Sequence, residues 1–209
     1  MGNLHSTVEY QFFFQCNSSS LFAQWSFDGS YADSTNVYNG SPSTNPPSLV
    51  TGYIGQAVLF NASLQQTIRT SYISLYNVSF TVDVWIKLTA YPTSGADCHI
   101  VGLCPSGSTS RCLQIIIRSQ KPYFGFYSND LGGAATISLN QWIHLAFVYD
   151  VIKRTQTIYV NGVQDSQRTN VSPLVVSSGN FTIATNENIA TSTGYFQVKL
   201  GKSIVIKKN

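Results

Sequence analysis

The sequence contains few charged residues. Asp, Glu, Lys and Arg make up only 10% of its 209 residues, against roughly 25% in an average soluble domain. This scarcity argues against a coiled coil or a helical bundle, since both depend on Glu and Lys together with Ala and Leu. The net charge of +3 is also too small to indicate a nucleic-acid partner.

Long apolar runs and the motifs of common enzymes are missing too. No apolar run approaches the roughly 20 residues of a membrane-spanning helix, so the sequence predicts no transmembrane segment. Glycosidases need two carboxyl groups beside the scissile bond, but the strand-like stretch around Asp83 has no second one, and the only glutamates are Glu9 and Glu187. There is no G-x-S-x-G, H-E-x-x-H, P-loop or G-x-G-x-x-G motif. The sequence therefore predicts a protein that is not an enzyme.

Enough apolar residues are present to build one sizeable core. Hydrophobic residues make up 43% of the chain, with 12 Phe, 12 Tyr and 3 Trp, which excludes a disordered chain. The length suits a single domain. We expect residues 1–19 to be an N-terminal extension and residues 20–209 to be the domain.

Strand-like patterns run along most of the domain. In residues 80–88 the apolar side chains alternate with Thr81, Asp83 and Lys87, as in a half-buried strand. Asn161-Gly162, between β-forming residues, predicts a type I′ hairpin turn, because both central residues need a positive φ. Further strands are predicted at residues 113–117, 123–127, 143–149 and 196–206. No window has helical periodicity, so we expect an all-β, two-sheet antiparallel jelly-roll sandwich with essentially no helix.

Four cysteines occur, at positions that do not match zinc motifs. Because three of them lie close in sequence, one disulfide among those three is expected, with the fourth pairing with whichever is left; the pairing stays open. The alternative is four reduced thiols in a cytosolic protein. The candidates are Cys16, Cys98, Cys104 and Cys112.

Several asparagines fit the N-x-[ST] pattern of N-glycosylation. Asn39 and Asn170 are the weakest, because Pro follows the hydroxyl residue. Together with the low charge and the even number of cysteines, these sequons predict an extracellular protein. The better candidates are Asn17, Asn61, Asn77 and Asn180.

The N-terminal residues do not support the extracellular location. It lacks the basic start and the apolar stretch of a secretory signal. Residues 1–6 instead fit the N-myristoylation pattern M-G-x-x-x-[ST], with Gly2 as the acceptor. The two interpretations are a fragment of a longer secreted or membrane-anchored ectodomain, which we prefer, and a lipid-anchored cytosolic protein.

Loop residues supply the candidate binding groups. Tyr31, Tyr38 and Tyr127 could stack on sugar rings, although such aromatics serve equally well in packing. Asn129 and Asp130 end a predicted strand and offer oxygen ligands for one calcium ion, although Asn and Asp are more often turn formers. His144 lies inside an apolar strand, where a hydrogen-bonded structural role is expected.

Five ordered motifs resemble the laminin-G-like, concanavalin A-like lectin/glucanase superfamily. The resemblance spans about residues 20 to 185 and implies a jelly roll of roughly 12–14 strands. Its members are mainly extracellular modules that bind glycans or proteins, some with a calcium ion at the rim of the sandwich. The motifs are LFAQWSFDG, GQAVLF, SFTVDVWIK, QWIHLAFVYD and IYVNG, at residues 21–29, 55–60, 79–87, 141–150 and 158–162.

The C-terminal part departs from this pattern after about residue 190. Residues 194–201 stand where the family has a Gly-x-Ile-Asp strand that closes the sheet beside the first strand. The sequence therefore leaves open how the sheet closes.

Three functional hypotheses follow from the sequence. The first is an extracellular, lectin-like recognition module that binds a glycan or glycoprotein, with calcium as a candidate cofactor. The second is a protein-interaction or adhesion module without a glycan site. The third is an accessory domain of a larger glycan-processing enzyme.

Overall fold

The computed structural model describes residues 21–91, 97–105, 112–187, 198–200 and 204–208. These residues form sixteen β-strands, one 3₁₀ turn at Ala62–Leu64 and no α-helix. No described helix is long and apolar enough to cross a membrane. The strands are β1 Leu21–Trp25, β2 Ser41–Pro42, β3 Ser48–Thr51, β4 Gln56–Phe60, β5 Ile68–Thr70, β6 Phe80–Leu88, β7 Cys98–Leu103, β8 Leu113–Arg118, β9 Lys121–Gly125, β10 Asp130–Gly132, β11 Ile143–Asp150, β12 Thr155–Val160, β13 Val163–Arg168, β14 Phe181–Ile183, β15 Val198–Leu200 and β16 Ile204–Lys208.

The strands form two antiparallel sheets, which confirms the predicted all-β sandwich. The large sheet has nine strands in the order β13-β12-β11-β6-β15-β4-β3, and β16 additionally joins β1 to β6. The small sheet has seven strands in the order β10-β9-β8-β7-β14-β5-β2. Since sequence neighbours are often far apart in these orders, long connections cross between the sheets, as in a jelly roll.

The strand β6 is central to the large sheet because its alternating sequence gives it one apolar face. The residues of that face are all fully buried and belong to the core: Phe80, Val82, Val84, Ile86 and Leu88. The opposite residues, from Thr81 to Lys87, are half-buried. The predicted strand and its two faces are confirmed.

Aromatic side chains join the two sheets. Trp25 of β1 stacks on Phe181 of β14, with ring centroids 5.7 Å apart and planes 7° apart. Phe124 of β9 makes edge contacts with Phe80 at 6.2 Å and Phe147 at 5.7 Å. Each pair has one member in each sheet, so the sandwich has a single shared core.

The predicted hairpin at Asn161-Gly162 is confirmed. The two residues have φ angles of 51° and 78°, and they connect β12 to β13. The prediction for residues 123–127 is wrong at its end. Strand β9 stops at Gly125, and Tyr127, with a φ of 54°, belongs to the following turn.

The C-terminal strands both pair with β6. Strand β15 lies along Ile86–Leu88 and also pairs with β4. Strand β16 lies along residues 80–83 and pairs with β1 on its other side. The large sheet thus closes beside the first strand even though the Gly-x-Ile-Asp sequence is absent.

One disulfide is present among the described cysteines. It joins Cys104 to Cys112, whose Cα atoms are 4.6 Å apart. Cys98, also a disulfide candidate, is a free thiol buried in the core of the sandwich. Cys16 lies outside the described residues, as do Gly2 and Asn17.

Candidate functional site

The candidate site lies on the outer face of the large sheet. Trp85 is the central residue of this face, because alternation along β6 turns it away from the core between Asp83 and Lys87. Its side chain is half-buried, so part of the indole stays open to solvent. A large aromatic on the polar face of a strand has no core to fill.

Two aromatic residues from loops extend the aromatic surface that begins at Trp85. Tyr53, from the β3–β4 connection, stacks on it with ring centroids 4.6 Å apart and planes 14° apart. Trp142, just before β11, is 6.4 Å from Tyr53 and tilted by 57°. Tyr53 is 56% exposed and its neighbour Ile54 is 57% exposed. We call Tyr53, Trp85 and Trp142 the aromatic platform.

Hydrogen bonds fix the loop that carries Tyr53. The Gly52 N–H donates to the Gly55 carbonyl at 2.9 Å, which closes the turn. Gly55 has a φ of +63°, and a Cβ there would lie 2.4 Å from Asp28 Oδ1. That same carboxylate oxygen accepts the N–H of Gln56 at 2.8 Å. Glycine at position 55 therefore lets the loop approach Asp28 closely and brings Tyr53 over the sheet.

A polar pair borders the platform. His144 of β11 lies opposite Trp85, and its ring is 5.3 Å from the indole. The His144 Nε2 atom is 3.2 Å from Asp83 Oδ1. Asn161 fixes the backbone here, since the His144 N–H donates to Asn161 Oδ1 at 3.0 Å and the Asn161 N–H to the His144 carbonyl at 2.8 Å.

This arrangement combines apolar ring faces with polar groups. Rings such as those of Trp and Tyr can stack against the C–H faces of a sugar, while carboxylate and imidazole groups can bind its hydroxyls. Ligand sites commonly join such aromatic walls to a few well-placed polar groups.

The three tyrosines selected from the sequence lie apart from the platform. Tyr31 and Tyr38 pack against the core, and the Tyr31 hydroxyl donates to the carbonyl of Pro47. The backbone carbonyl of Tyr38 accepts the indole N–H of Trp25 at 2.9 Å. Tyr127 is 44% exposed in the turn after β9.

The candidate calcium residues lie where a turn meets β10, whose first residue is Asp130, and not at the end of a strand as predicted. Asp130 Oδ1 accepts the N–H of Phe126 at 3.0 Å, and Asn129 Oδ1 accepts that of Ser172 at 3.3 Å. Calcium takes six to eight oxygen ligands. Within the described part of the chain, no group of three or more His, Cys, Asp or Glu side chains could hold a metal ion. As placed, Asn129 and Asp130 do not by themselves fit a calcium site.

Asp33 illustrates the same use of a carboxylate in a loop. Burial acts to raise its pKa, but hydrogen bonds from the Gln24 N–H, the Thr35 hydroxyl and the Tyr38 N–H hold the pKa below its usual value. The carboxylate therefore fixes the loop after β1 as an anion.

The candidate glycosylation sites differ in accessibility. Asn77 is exposed, with a φ of 50° in a turn. Asn61 caps the 3₁₀ turn, and its Oδ1 accepts the N–H of Ser63 at 3.0 Å. Asn180 is exposed, but the hydroxyl residue of its sequon, Thr182, is fully buried. Asn77 is therefore the exposed asparagine whose hydroxyl residue, Ser79, is only half-buried.

The platform residues are those that sequence reasoning missed. The sequence does indicate a surface role for Trp85, because the alternation of β6 assigns this aromatic residue to the polar face. It offers no such indication for Tyr53 and Trp142, since they lie in loops far apart in the sequence. His144 was expected to be a hydrogen-bonded structural residue; it lies near Asp83 on the outer face, at the edge of the platform.

A family profile matches residues 61–202 of this chain. The family is described as Laminin_G_3, of the concanavalin A-like lectin/glucanases superfamily. The match covers more than half of the chain, and it includes β6, β11 and β12. No curated protein matches the chain significantly in sequence.

Several solved structures share the fold. Domain 4 of an extracellular arabinanase from Geobacillus stearothermophilus, in complex with arabinotriose, has a TM-score of 0.71 and 21% identity, covering 91% of this chain and 93% of that one. The binding domain of paraclostridial mosquitocidal protein 1 has a TM-score of 0.72 and 15% identity, covering 91% and 49%. A botulinum neurotoxin type C structure, from work on its entry through two ganglioside molecules, has a TM-score of 0.65 and 14% identity, covering 90% and 48%. This chain spans about half the length of the two toxin chains.

Proposed function

Because the chain belongs to the concanavalin A-like lectin/glucanase superfamily, we propose that it is a carbohydrate-binding module whose aromatic platform holds a sugar ring. The observation that carries the proposal is the stacked pair of Tyr53 and Trp85, with Trp142 beside it. The pair offers ring surface to solvent, since Tyr53 is 56% exposed and Trp85 is half-buried. The arabinotriose complex of the arabinanase domain, and the dependence of botulinum neurotoxin type C on ganglioside molecules, support the same function.

The polar pair, Asp83 and His144, would orient the bound sugar. A sugar stacked on the platform would lie within reach of Asp83 and His144, which are 3.2 Å apart. The carboxylate can accept hydrogen bonds from sugar hydroxyls, and the imidazole can donate or accept one. Stacking would then provide affinity, and the polar pair would determine the specificity for particular sugars.

We propose binding without hydrolysis. A glycosidase needs a second carboxyl group facing the first. Asp83 is near His144, while Glu187 is engaged elsewhere, with Arg69 at 3.2 Å and with Asn180 at 2.7 Å. Incubation with any sugar that binds should therefore leave it intact, and chromatography of the mixture checks this. Release of shorter products would contradict the proposal.

We further propose that the module works outside the cell. The Cys104–Cys112 disulfide suits an oxidising compartment, and Asn77 offers an accessible acceptor for glycosylation. Peptide mapping of protein from its native source should find the disulfide intact and a glycan on Asn77. Reduced cysteines together with a myristoyl group on Gly2 would instead establish the cytosolic alternative.

A glycan array with purified protein tests the binding function. We expect binding to a defined group of glycans, and Trp85→Ala should lower the affinity for them by about tenfold or more, equivalent to about 1.4 kcal/mol. Tyr76→Ala is the matched control, since Tyr76 is 50% exposed and lies outside the platform. Tyr127→Ala tests, in the same way, the remaining exposed tyrosine of the described residues.

Calcium enters as a variable of the same experiment. Each array is run with calcium and with chelator, and loss of binding with chelator would establish a calcium-dependent site. No binding in either condition would overturn the glycan function and favour the protein-interaction or adhesion module. Equal binding by Trp85→Ala and the wild type would overturn the platform as the site.

A further inference from the structure

A row of side chains leads away from the platform across the large sheet. Asp83 of β6, Ala146 of β11 and Tyr159 of β12 are direct register partners, so they share one face. Gln164 of β13 continues the row and is exposed. This face is the outer one, because the next residues on the same strands, such as Phe147 and Ile158, belong to the core.

The side chain in the middle of the row is short, so the surface is lower there. Ala146 carries only a methyl group and is 8% exposed, so taller neighbours shield it. His144 and Val148 flank it along β11, while Asp83 and Tyr159 flank it across the strands. A small residue among four larger ones leaves a shallow floor between the platform and Tyr159.

Tyr159 provides a second aromatic group at the far end of this floor. It is half-buried, so part of the residue is accessible to solvent. It lies two strands from β6 and two residues along from the level of Trp85. Adjacent strands are about 4.8 Å apart and alternate residues about 6.7 Å apart, which places the two Cα atoms roughly 12 Å from each other.

That separation exceeds what one sugar ring can bridge. We infer that the platform is one end of a longer site, and that the ligand is a linear oligosaccharide lying across β6, β11 and β12 from Trp85 to Tyr159. The inference rests on the proposed function. One unit would stack on the platform, the next would lie over Asp83 and Ala146, and a third would contact Tyr159.

The inference predicts that affinity grows with chain length. Calorimetric titration with the mono- to tetrasaccharides of arabinose, xylose, glucose in cellulose linkage and glucose in maltose linkage measures this directly. In the series that binds, we expect the trisaccharide to bind about tenfold or more tightly than the monosaccharide, with little further gain at the tetrasaccharide.

Two variants separate the ends of the site. Tyr159→Ala should lower the affinity for the trisaccharide about tenfold and leave the affinity for the monosaccharide unchanged. Trp85→Ala should lower both affinities. Ala146→Leu should likewise lower the affinity for the longer ligands only, because the larger side chain fills the space above position 146. Tyr159→Phe keeps the ring and separates stacking from the hydrogen bond of the phenol. Thermal melting of each variant shows that it is folded.

The outcomes distinguish the two proposals. If no sugar of any series and no glycan on the array binds, the carbohydrate-binding function is overturned, and this inference with it. If sugars bind but the monosaccharide and trisaccharide have equal affinity, only the extended site is overturned. The same holds if Tyr159→Ala and Ala146→Leu both leave trisaccharide binding unchanged while Trp85→Ala weakens it.

Discussion

At the scale of single residues, His99 is an unusual buried group. It lies on β7 with 1% of its surface exposed, and neither ring nitrogen has a hydrogen-bond partner among the described residues. Burial is the main cause that lowers its pKa to about 4, and Arg118 adds to this while Asp97 opposes it. The folded state therefore favours the neutral imidazole at position 99.

This pKa makes stability depend on pH in a definite direction. The unfolded chain takes up a proton below about pH 6.5 and the folded chain only near pH 4, so stability falls as the pH drops from about 6.5 towards 4. We expect His99→Phe to stabilise the protein by about 2 kcal/mol more at pH 5 than at pH 7.5. Urea unfolding at the two pH values measures this. An equal effect at both would contradict the buried neutral histidine.

Cys98 is a second buried titratable group, with a reactivity that the structure defines. Burial, helped by the charge of Asp97, raises the pKa of its thiol to about 12. We expect no alkylation of Cys98 at pH 8 in the native protein, because the thiolate is both scarce and inaccessible. In denaturant without reductant Cys98 should be labelled, while Cys104 and Cys112 should not. Peptide mapping checks each site, and native labelling of Cys98 would contradict its burial.

At the scale of elements, the β12–β13 hairpin links a turn to the candidate site. Gly162 has a φ of +78°, and a Cβ there would meet no atom within 4 Å. Gly162→Ala should therefore destabilise the protein only through backbone strain, by about 1 kcal/mol. Gly132→Ala is the matched control, since its Cβ would also meet no atom and its φ lies outside the left-handed region. Urea unfolding compares them, and equal stability of the two variants would show that the turn imposes no strain.

Local pattern explains which elements could be predicted. The alternation in β6 and the Asn161-Gly162 turn are encoded within a few residues, and both were predicted correctly. The end of β9 was not, because Phe126 is apolar and buried like a strand residue, yet its N–H donates to the Asn129 carbonyl of a turn. An apolar sequence predicts burial, but it does not by itself predict where a strand stops.

Local sequence patterns also identify only part of the candidate site. The polar face of β6 is a local property, so Trp85 could have been found from its position in the alternation. The contact between Tyr53 and Trp85 depends on how β3, β4 and β15 are ordered beside β6. Nothing near Tyr53 in the sequence carries that order, which is why Tyr31, Tyr38 and Tyr127 were selected instead.

At the scale of the whole molecule, closure of the large sheet depends on β16. This strand pairs with β1 on one side and with β6 on the other. A chain ending at residue 203 would leave both strands with unpaired edges, so we expect it to lose its cooperative thermal transition and to aggregate. A chain ending at residue 208 is the control and should melt like the wild type. Calorimetry and gel filtration compare them, and a normal transition in the shorter chain would contradict this role.

The pairing of β1 with β16 also has a consequence during protein synthesis. Strand β1 emerges from the ribosome among the first described residues, and its partner strand emerges last. The nascent chain must therefore carry an apolar strand containing Trp25 without its partner strand until residues 204–208 have been synthesised. Contacts between such distant segments form slowly. We expect final assembly of the sandwich to follow release of the C-terminal segment from the exit tunnel, and the waiting chain to be a natural client for molecular chaperones.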